Sequence, residues 1–88
     1  MDTVGNTEDY LEQRRNEIAG RIREARSKRK WTQEQAAQYL GFSLSKYNRV
    51  ERGGAELTLL EAERLSNAFG VPVTYFFRRL AEYNETNP

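Results

Sequence analysis

The sequence predicts an all-α domain of five helices, the first of them long. Three observations lead there. Apolar residues recur at spacings of three, four and seven, the period of a helix face, and no stretch alternates apolar and polar as a strand does. Two Thr-x-x-Gln/Glu capping boxes and glycines at positions 41 and 70 punctuate the chain as helix starts and stops. Proline occurs at Pro72 and Pro88, so none interrupts the helical stretches before residue 72.

Taken in order, the first helix is predicted from Glu8 to Arg29, with Thr7 as N-cap. Glu8 and Asp9 would complement the helix dipole in its first turn, and Lys28 and Arg29 in its last. Leu11, Ile18, Ile22 and Ala25 form its apolar stripe. A helix of this span is about 33 Å long, so its N-terminal half is expected to overhang the core. Thr32 and Gln35 box the start of a second helix, which places Ala36, Ala37 and Leu40 inward and stops at Gly41. Trp31, just before the box, reads as a core plug. Ser43 caps a third helix that ends before Gly53-Gly54 and turns Tyr47 and Val50 inward. Thr58 and Glu61 box the fourth helix, Leu59 to Phe69, with Leu57 and Ala62 as a staple. Its inner face is expected to carry Leu59, Ala62, Leu65 and Phe69, and Gly70 ends it. Val71-Pro72 makes a corner, and Val73 to Tyr83 reads as the fifth helix. Residues 1–7 are expected to form a flexible arm, 8–83 the folded domain and 84–88 a flexible tail.

A chain of 88 residues holds one core. Its composition is 38% apolar and 31% charged, with mean hydropathy −0.89, which reads as soluble and globular. No apolar run approaches the roughly 20 residues of a membrane span. The opening is acidic and polar, unlike a secretory leader. Cys and His are both absent. That excludes disulfides, thiolate chemistry, zinc fingers and imidazole acid–base work. With no Gly-rich phosphate loop either, an enzyme is not expected, and Glu61 and Glu63 read as helix-surface residues. No metal or cofactor is expected, and the location read from cysteine usage is the cytoplasm. The net charge of +1 hides an asymmetry: residues 1–13 carry −4, 14–30 carry +6, 31–54 carry +1 and 55–88 carry −2. A basic middle between acidic ends points to a polyanion partner.

The informative stretch is 32–52, a short helix, a tight turn at Gly41-Phe42-Ser43 and a second short helix. Ala37 lies four residues before the turn glycine, where crossing helices press closest. Tyr47 and Val50 fall six and nine after it and lock the second helix to the first. That is helix-turn-helix spacing. Residues 18–77 resemble the Cro/Xre family of phage-repressor-like helix-turn-helix domains. The resemblance is carried by Ile22-Arg23-Glu24-Ala25-Arg26, Trp31 to Ala37, Leu40 to Ser43, Val50-Glu51-Arg52-Gly53 and Leu65 to Val71. It implies a five-helix bundle of that type. It also implies a sequence-specific regulator of transcription, read as a repressor, with helix 43–52 in the major groove of double-stranded DNA.

On this resemblance Ser43, Leu44, Ser45, Asn48 and Arg49 are the candidate base contacts. Arg49 can bridge guanine O6 and N7, and Asn48 can pair with adenine. Leu44 stands where glutamine is often found, so family base preferences do not carry over. Gln33 matches a phosphate-binding glutamine, and Lys46 and Arg52 flank the recognition helix as further phosphate contacts, with Lys28 and Lys30 behind them. Arg26 and Glu51 match positions that form a structural ion pair. Tyr47 stands where Ile or Val is commoner, so its hydroxyl needs a partner or water. Tyr75, Phe76, Phe77, Leu80 and Tyr83 crowd the last helix beyond what one small core uses. They are expected to form a homodimer interface on a near-palindromic operator. Tyr10 and Leu11 at the start of the first helix are candidates for the same interface. The rival reading is an antitoxin-like or protein-interaction module on the same fold, meeting a protein partner through the termini. The cations Lys46, Arg49 and Arg52 on the recognition helix favour DNA. In a bacterium such a protein would sit at the nucleoid.

Overall fold

The structure is a computed structural model that describes residues 3–78. Its elements run α1 (Thr3–Arg29), α2 (Gln33–Leu40), α3 (Leu44–Glu51), α4 (Leu59–Phe69) and a 3-10 turn (Val73–Phe77). The fold is all-α, with no strand among the described residues. Among the described residues, four α-helices and one 3-10 turn stand where five helices are expected.

The caps of α2, α3 and α4 act where the sequence placed them. Thr32 Oγ1 accepts from the Gln35 N–H at 3.0 Å, and Gln35 Oε1 accepts from the Thr32 N–H at 2.8 Å. The same reciprocal pair joins Thr58 and Glu61, at 3.0 and 2.9 Å. Ser43 Oγ accepts from the Lys46 N–H at 3.0 Å and starts α3. Gly41 and Gly70 end α2 and α4 in the left-handed conformation, with φ of 75° and 70°. These are conformations that a side chain disfavours.

The core gathers Ile22 and Ala25 of α1, Ala36, Ala37 and Leu40 of α2, Tyr47 and Val50 of α3, and Leu65, Ala68 and Phe69 of α4, closed by Tyr75 and Phe76. Trp31 is only partly buried. It leans on the core's edge, with its ring 6.0 Å from that of Phe69 and the Arg29 guanidinium 4.8 Å from its centre. Gly53, at φ 78°, lets the chain turn beneath α1, where an added Cβ would stand 2.6 Å from Asn16 Oδ1.

The first helix begins at Thr3, not Glu8, so Thr7 is not its cap and its first turn holds no acid. Gly5 costs about 1 kcal/mol against alanine in a helix, which does not stop one already nucleated. At 27 residues α1 is about 40 Å long. Leu11 is 45% exposed on the overhanging half, so the buried stripe begins further along, at Ile18 and Ala19. Leu59 is 90% exposed rather than inward, because α4's buried face runs through Leu65, Ala68 and Phe69. The expected fifth helix is a 3-10 turn where described: the Tyr75 N–H donates to the Pro72 carbonyl at 2.9 Å, three residues back. Its remainder, including Leu80 and Tyr83, lies outside the described residues, as do the tail 84–88 and residues 1–2 of the arm.

Candidate nucleic-acid interface

Glu51, the last residue of α3, anchors that helix to its neighbours. It is 2% exposed, a charge buried at the meeting point of three elements. Arg26 of α1 donates through Nε to Glu51 Oε2 at 2.6 Å and through Nη2 to Oε1 at 3.2 Å. Gln33, opening α2, donates from Nε2 to the same Oε1 at 2.8 Å. Arg23 donates to the Glu51 backbone carbonyl, one of the orphan acceptors at the end of α3. Arg26 also spans to the Trp31 carbonyl at 2.8 Å, tying the α1–α2 turn into the network.

Burial works against the Glu51 charge, but hydrogen bonding by Arg26 and Gln33 outweighs it and holds the carboxyl below its ordinary pKa. Hydrogen bonding to Glu51 raises Arg26 in turn. Tyr47 is wholly buried beneath this network. Its hydroxyl stands beside the Glu51 carboxylate without closing a hydrogen bond of ordinary geometry. Burial first, then the adjacent anion, pushes its phenol pKa up.

With its inner side fixed, α3 turns a defined row outward. Ser43, Leu44, Ser45 and Arg49 are all exposed, and so is Arg52 just past its end. Asn48 departs from the expected set: its Oδ1 is buried without a partner, which turns that side of the amide inward, away from the exposed row. Gln33 is half-buried, its amide nitrogen committed to Glu51, which leaves its position at the start of α2 as the feature an anion would meet.

The lysines separate. Lys30 is exposed in the turn after α1, at a φ of 65°. Lys28 sits 4.0 Å from a Glu24 oxygen and 5.5 Å from the centre of the Tyr75 ring, toward the 3-10 turn. Lys46 is paired with Glu61 of α4. Sequence reasoning missed that pair and also Arg23. The capping box placed Glu61 at α4's first turn, but its reach to α3 depends on how the two helices cross.

The aromatic set expected at a dimer interface divides. Tyr75 and Phe76 are buried in the monomer core, 8% and 2% exposed, and so are not available to a partner. Phe77 is 46% exposed. It lines an apolar groove of about 220 Å³ with Ile18, Ala55, Leu57 and Leu59. None of the exposed row Ser43, Leu44, Ser45 and Arg49 lines that groove.

A family model described as helix-turn-helix matches residues 22–76. The chain belongs to this Cro/Xre-like helix-turn-helix family of DNA-binding transcription regulators, a family of regulators rather than enzymes. Two solved structures are similar to it. The restriction-modification controller protein C.AhdI from Aeromonas hydrophila is 27% identical over 72% of this chain and 96% of its own, with a TM-score of 0.68. A hypothetical transcription factor, NHTF from Neisseria, is 25% identical over 83% of this chain and 84% of its own, with a TM-score of 0.73. No curated protein matches the sequence. No described helix is long and apolar enough to cross a membrane.

Proposed function

We propose that the protein is a sequence-specific regulator that binds double-stranded DNA as a homodimer on a near-palindromic operator. The observation that carries this reading is the exposed row on α3, held outward by the buried Glu51 network behind it. A helix fits the major groove, where each base pair presents its own pattern of donors and acceptors. Arg49 reads guanine, and Ser43, Leu44 and Ser45 meet base edges or a thymine methyl. Arg52 and Lys30, with the start of α2 at Gln33, meet phosphates and set the register. Occupying the operator keeps other proteins off that stretch, so the regulator acts as a repressor. It works in the cytoplasm, at the nucleoid in a bacterium.

The homodimer is supported by the groove beside Phe77 and by Leu59, an apolar residue left almost wholly in solvent. To read one turn of DNA, a two-fold axis there must set the two α3 helices about 34 Å apart. The overhanging start of α1, with Leu11 half-exposed, is the surface a protein partner would meet at that end.

Selection from a random duplex pool, combined with sedimentation of the free protein, tests the reading. A recovered two-fold motif and a dimer support it. A monomer that enriches no sequence and co-purifies with a protein instead would establish the interaction module.

A further inference from the structure

We infer that Glu61 holds Lys46 in reserve, so that α3 meets DNA with one cation fewer per subunit than its sequence carries. The inference rests on the DNA-binding reading above and adds a determinant of its affinity and salt dependence.

Lys46 is the third residue of α3, and its Nζ makes an ion pair with Glu61 Oε2 in the first turn of α4. The same ammonium lies 4.3 Å from the centre of the Phe42 ring. An anion and a π-face therefore share one charge, with both side chains of the pair mostly covered, at 31% and 20% exposure. Glu61 is not a mobile partner. Its other oxygen accepts from the Thr58 N–H at 2.9 Å, so the capping box holds the carboxylate where Lys46 finds it. Lys46 hydrogen bonding, followed by the Thr58 N–H, lowers the Glu61 pKa, which keeps the carboxylate charged at neutral pH. Arg49, the other cation of α3, forms no ion pair with the described residues.

A phosphate must therefore compete with Glu61 for Lys46, but not for Arg49. Non-specific binding is built almost wholly from phosphate neutralisation, whereas reading of base edges does not need Lys46. Withholding one phosphate contact then weakens binding to random and operator duplex alike. Glu61 thereby sets the strength and salt dependence of the phosphate contacts rather than the ratio between the two duplexes.

The chain supplies a suitable substitution. The α2 box uses Gln35 for the role Glu61 plays in α4, so Glu61→Gln keeps the cap and removes the charge. Binding of the full chain to a random duplex, and to the duplex recovered by selection, is measured across a salt series. Glu61→Gln is expected to tighten random-duplex binding about 2–5-fold per subunit, the range of a partly exposed ion pair. It is also expected to steepen the log–log salt slope by about 0.9 per subunit. Lys46→Gln added to it reverses both changes. Unchanged random-duplex affinity and slope in Glu61→Gln, with an unchanged melt, overturn the inference. A slope already shallower by about 0.9 per subunit in Lys46→Gln alone also overturns it, because Lys46 would then be on a phosphate from the start. Failure of the parent protein to bind either duplex sinks the DNA reading itself, a result distinct from both.

Discussion

Arg26 Nε lies 2.6 Å from Glu51 Oε2, and that contact joins the last turn of α1 to the end of α3. The carboxylate is nearly inaccessible and takes a third hydrogen bond from Gln33, so it fixes three helices against one another. A buried pair of this kind adds little net stability over an apolar replacement, yet losing one partner strands the other.

Glu51→Ala should therefore cost about 2–4 kcal/mol, because it leaves Arg26 and Gln33 without their acceptor. Thermal melts check this, and Glu51→Lys should melt lower still. A melt equal to the parent's would refute the structural role of the pair.

The same pair sets a pH dependence. The folded-state pKa of Glu51 is lowered, so its contribution is complete above the unfolded value of about 4.3 and is lost as pH falls through the lower folded value. Glu24 and Glu61 are lowered too and act in the same direction. Melting temperature should hold through neutral pH and fall below about pH 4. Glu51→Gln should melt lower at neutral pH and show a shallower acid limb. Parallel acid limbs would place the sensitivity elsewhere.

Tyr47 separates ring from hydroxyl. Its ring is buried at 0% exposure, but its hydroxyl closes no ordinary hydrogen bond. Tyr47→Phe should stay within about 1 kcal/mol of the parent, whereas Tyr47→Ala should cost about 3–5 kcal/mol through the cavity it leaves. A loss of more than about 2 kcal/mol in Tyr47→Phe would show that Glu51 depends on the hydroxyl.

Two glycines with positive φ predict an order. At Gly53 a Cβ would also meet the Arg15 carbonyl oxygen at 3.3 Å, backbone that cannot swing aside. At Gly41 it would meet only the flexible end of Arg64, at 3.4 Å. Gly41→Ala should cost about 1 kcal/mol, from the left-handed conformation alone. Gly53→Ala should cost clearly more and shift α1 against α3. Equal chemical-denaturation midpoints for the two variants would contradict the close approach.

Helices with strong local signals were legible in the sequence. Thr32, Gln35, Gly41, Ser43, Thr58, Glu61 and Gly70 each form their cap through neighbours no more than four residues away, so spacing sufficed. What spacing did not contain was position across elements. Leu59 fits the helical period of α4, but the period cannot say that nothing described lies above the helix's first residue. Composition groups Tyr75 and Phe76 with Phe77, and only the tight 3-10 turn separates the two inward rings from the outward one. Read along α3 alone, Lys46 is a phosphate contact, and read along α4 alone, Glu61 is a surface residue of the capping box. Their meeting is a property of two helices, written in neither.

The account depends on α3 distinguishing one duplex from another, and the direct measurement is the ratio of affinities for the selected and random duplexes across a salt series. It predicts a ratio of at least about 10³ and, for the dimer, a log–log salt slope steeper than about −5. Equal affinity for both duplexes, or binding that ignores salt, would contradict it.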